Sequence, residues 1–319
     1  MNKAEALQLA QKANSDVSTV IKTKSIARLW AGMGSIVQIE CNDSIVVIAK
    51  RISCRNPTSF GDKRKAASYV VECNFYSNYS HELCDTICCD GLHCEDDGSG
   101  NITILMTPLP NPTVHYLCGE NAYAALRSVA RLHAHFWGER SSEAVSTGGL
   151  APQGSYWYLD TRPDEYNSMS RRGTEGKLRS AAKDIDEKLK AHPYQTCLHG
   201  DLKSCNMSLS SDPRYVTFVD FQYIGRGCAA KDLAYLFVCG MDLDDDFENV
   251  LEEKFLKFYI EELASNGLDS SSPLPTFDGL KEALDLAYCD LYRWMCGWGV
   301  WGNGFLGDRV RKCLENGIV

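Results

Sequence analysis

The run His199-Gly200-Asp201-Leu202-Lys203-Ser204-Cys205-Asn206, followed by Val219-Asp220-Phe221-Gln222, gathers the side chains best suited to chemistry. Their types fit phosphoryl transfer, a reaction that asks few groups of a protein because its barrier is mostly charge and geometry. A carboxylate must reach the attacking hydroxyl, oxygen ligands must hold magnesium on the β- and γ-phosphates, and a cation must face the inner phosphates. Asp201 can supply the base. Asn206, five residues on, can turn back toward the same cleft as a metal ligand, and Asp220, at the end of the next strand, adds a second, charged ligand. Oxygen donors of this kind suit magnesium rather than zinc. Asp201, Asn206 and Asp220 are therefore the expected catalytic set, with Asn206 and Asp220 on the metal. A lone His-Gly-Asp is common, so the pattern takes its weight from Asn206 and Asp220 standing in register behind it.

A second signal lies far upstream. Lys50 interrupts an apolar strand, Val46-Val47-Ile48-Ala49, where a charge is costly without a partner. The expected partner is Glu72, on the helical face that also carries Tyr69, Tyr76 and Tyr79. The alternative is an edge-strand lysine and a surface glutamate.

The elements that must position these groups follow from periodicity. Met1 to Val20 reads as an amphipathic helix. Ile36–Cys41 and Ile45–Ile52 form a hairpin about Asn42-Asp43, residues that tolerate tight turns. Ala66, Tyr69, Val70, Cys73 and Tyr76 mark a helix over Asp62 to Leu83, and Ile102–Met106 reads as a strand. Thr107-Pro108-Leu109-Pro110-Asn111-Pro112 breaks regular structure and sets the expected boundary between a front lobe, 1–108, and a back lobe, 109–319. Beyond it the pattern is helical at Ala122–Phe136, Leu178–Leu189, Leu251–Phe258 and Leu280–Trp298. Ser141–Ser155 reads as a loop, and Thr196–Leu198 and Tyr215–Val219 as short strands. The fold class expected is α+β, with a small antiparallel sheet and one helix in front of a larger, mostly helical lobe.

The His199–Asp220 block resembles the choline kinase and aminoglycoside phosphotransferase family, and within it the ecdysteroid-kinase-like group. The family pattern is His-Gly-Asp, Asn five residues later, then Asp on the next strand. Lys231-Asp232-Leu233-Ala234-Tyr235-Leu236 matches its Asp-Leu-Ala segment, and Glu72-Cys73-Asn74-Phe75-Tyr76 its Glu-x-x-Phe-Tyr; the likeness runs from about Gly32 to Trp301. The resemblance implies a two-lobed, protein-kinase-like fold and dependence on ATP and Mg2+. It implies that Glu72 holds Lys50 against the α- and β-phosphates and that Gly32, Gly34 and Ser35 belong to the loop covering the nucleotide. Thr107 would offer its carbonyl, and Leu109 its N–H, to adenine. His199 would brace the loop rather than react. Lys203 would either touch the γ-phosphate or stand in solvent. Asp220-Phe221-Gln222 is not Asp-Phe-Gly, and only twelve residues separate Asp220 from Asp232, too few for a protein-kinase activation loop. The acceptor implied is a small hydroxylated metabolite; the alternative is a pseudokinase that binds nucleotide without transferring phosphate.

Composition narrows the classes further. A formal net charge of −9 argues against a nucleic-acid partner, whose affinity would rest on Lys and Arg. No apolar run approaches the ~20 residues that cross a bilayer, so no membrane association is expected. Fifteen cysteines without a secretory signal indicate reduced thiols and a cytoplasmic location. Cys84, Cys88, Cys89 and Cys94 lack paired Cys-x-x-Cys knuckles and read as small hydrophobes rather than a zinc site. His133, His135 and Trp137 read as core and cap, and the acidic run Asp242–Glu253 as a solvated loop and helix start. Asp290, Arg293, Trp294, Trp298 and Trp301 on the last long helix are candidates for the acceptor pocket, aromatic walls with charged orienting groups.

Overall fold

The structure is a computed structural model that describes residues 1–54, 56–84, 86–243, 247–268 and 273–318, the side chain of Asn249 excepted. The front of the molecule is a five-stranded antiparallel sheet of order β1-β2-β3-β5-β4. Its strands are β1 (Val20–Arg28), β2 (Gly34–Cys41), β3 (Val46–Ser53), β4 (Gly91–Asp96) and β5 (Asn101–Met106). Side chains alternate between the two faces of a strand. Val37, Ile39, Val47, Ala49 and Leu105 therefore pack outward beneath α1 (Lys3–Ala13), which contributes Ala6 and Ala10. The opposite parity sends Ile36, Ile48 and Lys50 to the inner face, where Lys50 stands between Ile36 of β2 and Ile104 of β5.

Against that inner side lies α2 (Phe60–Asn78). Ser59 Oγ accepts from the Asp62 N–H at 3.0 Å while the Asp62 carboxylate accepts from the Ser59 N–H at 3.3 Å, a capping box that fixes where the helix starts. Tyr69, Glu72, Cys73 and Tyr76 form its buried stripe. The helix breaks at Tyr79, and a short α3 (Ser80–Leu83) follows, so the continuous helix expected to Leu83 is two.

The back lobe is built on α4 (Glu120–His135), α5 (Glu139–Ser146), α6 (Pro163–Ser168), α7 (Gly173–Ala191), α8 (Ala230–Tyr235), α9 (Glu252–Ser265), α10 (Phe277–Trp298) and α11 (Leu306–Glu315). Two small antiparallel pairs sit at its face toward the sheet, β6 (Gln195–Leu198) with β9 (Gly225–Cys228), and β7 (Met207–Leu209) with β8 (Val216–Phe218). The polar runs of interest are the connections, 199–206 between β6 and β7 and 219–224 between β8 and β9. The molecule is thus α+β and two-lobed. Among the described residues no helix is long and apolar enough to cross a membrane.

Several expectations need correction. The stretch 141–155 is not all loop, because α5 forms after a left-handed Gly138 and buries Ser141 and Ala144. The edge strand β1 shows almost no apolar alternation; most of it is exposed, so no periodic signal marked it. The last long helix stops at Trp298, where Gly299 takes φ 151°, and Trp301 is not on it. Residues 244–246 of the acidic run lie outside the described ones, and Glu252 within it is buried against Arg309 at 3.1 Å rather than solvated.

Because the capping box sets the start of α2, Ser59→Ala should lower stability by about 1 kcal/mol. Urea unfolding checks this, and an unchanged midpoint would mean that the cap does not fix the helix start.

Candidate active site in the interlobe cleft

A cleft of about 810 Å³ lies between the inner face of the sheet, α2, the 106–113 segment and the two polar connections. Its size falls within the ~300–1,000 Å³ usual for small-molecule sites. Lys50, Glu72, Asn206 and Asp220 all line it.

Lys50 is buried, and its Nζ lies 2.8 and 2.7 Å from the two oxygens of Glu72 and 2.8 Å from Asp220 Oδ1. Burial alone would lower the lysine pKa, but Asp220 and Glu72 together raise it, so it stays protonated. Asp220 sits in left-handed backbone, φ 67° and ψ 58°, a conformation rare for a residue with a side chain and frequent at functional sites. Burial would raise its pKa, yet Lys50, with Lys65 and Lys203, holds the carboxyl well below the usual range. Phe221 fixes this turn, stacking on Phe75 of α2 at 3.9 Å.

Asp201 stands behind Asn206 and is 2% exposed. Its Oδ2 accepts from Lys203 Nζ at 2.7 Å and Asn206 Nδ2 at 3.1 Å, while its Oδ1 is buried without a partner. Burial raises its pKa to about 6, against the pull of Lys203. Asn206 also donates to the Asp201 carbonyl at 2.9 Å, while its own amide oxygen meets Cys205 Sγ at 3.9 Å. Lys203 is thus paired with Asp201 while its side chain keeps 38% exposure.

His199 is fully buried, and burial lowers its pKa, leaving a neutral ring. Nδ1 accepts from the Asp201 N–H at 3.3 Å, and Nε2 donates to the Val219 carbonyl at 3.0 Å. One ring so ties the Asp201 loop to the strand that ends at Asp220. Asp232 secures the same loop from below, accepting from the N–H groups of His199 at 2.7 Å and Gly200 at 3.0 Å. It also meets His133 Nε2 at 3.2 Å, and His133 Nδ1 bonds the Tyr259 hydroxyl at 2.7 Å. The acid at Asp232, just ahead of the apolar run Leu233-Ala234-Tyr235-Leu236, was the signal for this bracing role, and sequence reasoning used it only as a motif match.

Thr107 and Leu109 line the cleft, and among the described residues neither the Thr107 carbonyl nor the Leu109 N–H has a backbone partner. Gly32, Gly34 and Ser35 do not line it. Ile26–Trp30, the end of β1 and the start of its turn, do so instead. Gly34 has a steric reason of its own, since a Cβ there would lie 2.0 Å from the Arg51 carbonyl.

The acceptor candidates divide. Asp290 and Arg293 are completely buried. Asp290 accepts from Lys231 at 2.8 Å and Arg293 at 2.8 Å, and Arg293 also donates to the Trp157 carbonyl. One carboxylate thus stands between two cations in the interior, and Arg293 Nη1 is buried without a partner. Trp294 is buried too, stacked near Trp157 and edge-on to Tyr156 and Trp301, whereas Trp298 and Trp301 keep exposed surface. Sequence reasoning missed Lys65, Gln222 and Tyr69 on the cleft wall, and Arg162, whose guanidinium lies over the rings of Tyr156, Trp294 and Trp298.

Among the described residues no group of three or more His, Cys, Asp or Glu side chains is disposed to hold a metal by itself, the Cys84–Cys94 region included. Asp220 Oδ2 and Asn206 Oδ1 offer two oxygens, the donor set for a hard cation that takes its other ligands from phosphate and water.

The Ecdysteroid kinase-like family model matches residues 164–269. No curated protein is matched by sequence. Among solved structures, a putative aminoglycoside phosphotransferase from Ralstonia eutropha superposes with TM-score 0.60 at 11% identity, covering 98% of this chain and 95% of that one. Amicoumacin kinase, solved with AMP-PNP, Ca2+ and Ami, gives 0.55 at 12% identity over 97% and 93%. Macrolide 2'-phosphotransferase from Brachybacterium faecium gives 0.51 at 16% over 97% of each chain. At these identities the likeness establishes the fold, and the family match covers the polar connections 199–206 and 219–224 within it. The chain accordingly shares the fold of these phosphotransferases, and within it residues 164–269 are similar to the Ecdysteroid kinase-like family.

Proposed function

We propose that this protein is an ATP-dependent small-molecule kinase that transfers the γ-phosphate to a hydroxyl of a small metabolite. The observation that carries the proposal is the free Oδ1 of Asp201, a buried carboxylate oxygen with no partner beside the metal-ligand pair Asn206 and Asp220. Of the similar structures, amicoumacin kinase was solved with a nucleotide analogue, a divalent cation and Ami, which supports the same use of this cleft.

ATP with magnesium supplies the phosphoryl group and the positive charge that screens it. Lys50 faces the inner phosphates, and Glu72 keeps it extended across the cleft. Asp220 and Asn206 hold the cation. The Thr107 carbonyl and the Leu109 N–H bind adenine. Asp201 orients the acceptor hydroxyl through Oδ1 and takes its proton as the new phosphorus–oxygen bond forms, while Lys203 and Asn206 fix the other oxygen. The acceptor lies on the far side of Asp201, against Tyr156, Tyr223, Trp298 and Trp301. With the lobes divided at 108/109, the front lobe handles the nucleotide and the back lobe handles the acceptor. Most of the rate gain is electrostatic positioning.

Asp201→Asn should keep the fold and nucleotide affinity and lose on the order of 10²–10⁴ in turnover. An ATP-consumption screen over hydroxylated metabolites, with mass detection of the phosphorylated product, provides the assay; full activity in the variant would defeat the assignment. Binding of ATP by the unaltered protein with no turnover on any acceptor would mark a nucleotide-binding scaffold instead.

The pH dependence has a definite sign. Asp201 can accept a proton only when ionised, and its carboxyl titrates at about 6. The ratio kcat/KM should therefore be lost as pH falls through that value and be fully present about two units above it. A flat profile down to about pH 4.5 would put the base at an ordinary carboxylate pKa and contradict the assignment.

A further inference from the structure

Lys50 is not the only ammonium in the cleft. Lys65 stands on α2 seven residues before Glu72, two helical turns away and so on the same face. It lines the cleft with Lys50, Asp220 and Gln222. Its Nζ donates to the Tyr223 hydroxyl at 3.1 Å and to Gln222 Oε1. It also lies over the rings of Tyr69 and Tyr223, 5.1 and 5.2 Å from their centroids.

The partners of the two lysines differ in kind. Lys50 has two carboxylates, whereas among the described residues Lys65 pairs with none. Its contacts are an amide oxygen, a phenol and two aromatic faces, which fix its direction without a direct ion pair, although the Asp220 and Glu72 carboxylates act on it from a distance. Gln222 makes the distinction structural. Its buried amide accepts from Lys65 and from the Ser68 hydroxyl at 3.3 Å on the oxygen side, and donates to Asp220 Oδ1 on the nitrogen side. A glutamate at this position would neutralise Lys65. A glutamine holds it in place and adds no negative charge beside it. The result is a hydrogen-bonded row along the cleft, Lys50–Asp220–Gln222–Lys65, with the metal-ligand candidate Asp220 between two ammonium groups.

A half-buried cation without a counter-charge is costly until an anion meets it. We infer that Lys65 is a second phosphate-binding lysine, which contacts the terminal phosphate of the nucleotide while Lys50 holds the inner ones. This rests on the nucleotide reading above. Lys65 ends the hydrogen-bonded row that Lys50 begins, so a nucleotide whose inner phosphates face Lys50 would bring its outermost phosphate toward Lys65, and a cation held by Asp220 would supply charge between them.

The test is equilibrium binding by calorimetry, in magnesium, of a non-hydrolysable ATP analogue and of ADP to the unaltered chain, Lys65→Met and Lys65→Arg. Lys65→Met should weaken the triphosphate about ten- to hundredfold and the diphosphate less than about threefold, with Lys65→Arg recovering most of the loss. Equal losses for both nucleotides, no loss for either, or a change confined to the KM of the acceptor would overturn the inference. If Lys65→Met does not fold, Gln222→Glu must give the same selective loss of triphosphate by neutralising Lys65 from its partner's side. If the unaltered chain binds neither nucleotide, the nucleotide reading fails and takes this one with it. If it binds both and Lys65→Met discriminates nothing, only the role of Lys65 is lost.

Discussion

A buried ammonium group must find negative charge, and at Lys50 that requirement organises the molecule. The lysine is placed by the alternation of β3, one of its counter-charges comes from α2, and the other comes from the turn after β8, 170 residues further on. Removing either carboxylate would leave part of a charge unpaired in a dry setting, a loss of about 3–5 kcal/mol for comparable buried pairs. Sheet, helix and back lobe are therefore locked in one relative arrangement before any ligand arrives. The Phe75–Phe221 stack reinforces the same junction with apolar contact.

That junction sets two neighbouring carboxylates apart. Asp220, beside Lys50 and bonded by Gln222, is held ionised and suits a cation. Asp201 is enclosed, with one oxygen tied and the other free, and burial lifts its pKa toward neutrality. Separating the pKa values of two acids by environment is how one site obtains both a permanent charge and a proton acceptor. His199 and Asp232 do no chemistry in this scheme. They keep the Asp201 loop at a fixed distance from the Asp220 turn, the neutral ring bridging two backbone groups and the carboxylate holding two N–H groups.

What could be read in the sequence was whatever depends on short spacing and strand parity. The five-residue step from Asp201 to Asn206 is a loop geometry, and the misfit of Lys50 among Val and Ile is a local anomaly; Asn206 and Lys50 line one cleft with Glu72 and Asp220, and Asp201 stands behind Asn206. The acceptor candidates divide between interior and surface for a physical reason. Asp290 and Arg293 are three apart on a helix, which is also the spacing of an internal ion pair, and no helical projection says that Lys231 arrives from α8 to complete it. Edge strand β1 carries no alternation because most of it faces water. Lys65 resembles any lysine on a polar helix start until the turn carrying Gln222 and Tyr223 is folded over it.

The central claim is that Lys50, Asp220, Asn206 and Asp201 serve one bound nucleotide and its metal. A crystal structure of the chain with a non-hydrolysable ATP analogue and magnesium tests it most directly. The account predicts a magnesium ion about 2.1 Å from oxygens of Asp220 and Asn206, bridging phosphates that Lys50 touches, with Asp201 Oδ1 open toward the terminal phosphate. A nucleotide bound outside this cleft, or a metal that avoids both Asp220 and Asn206, would contradict it.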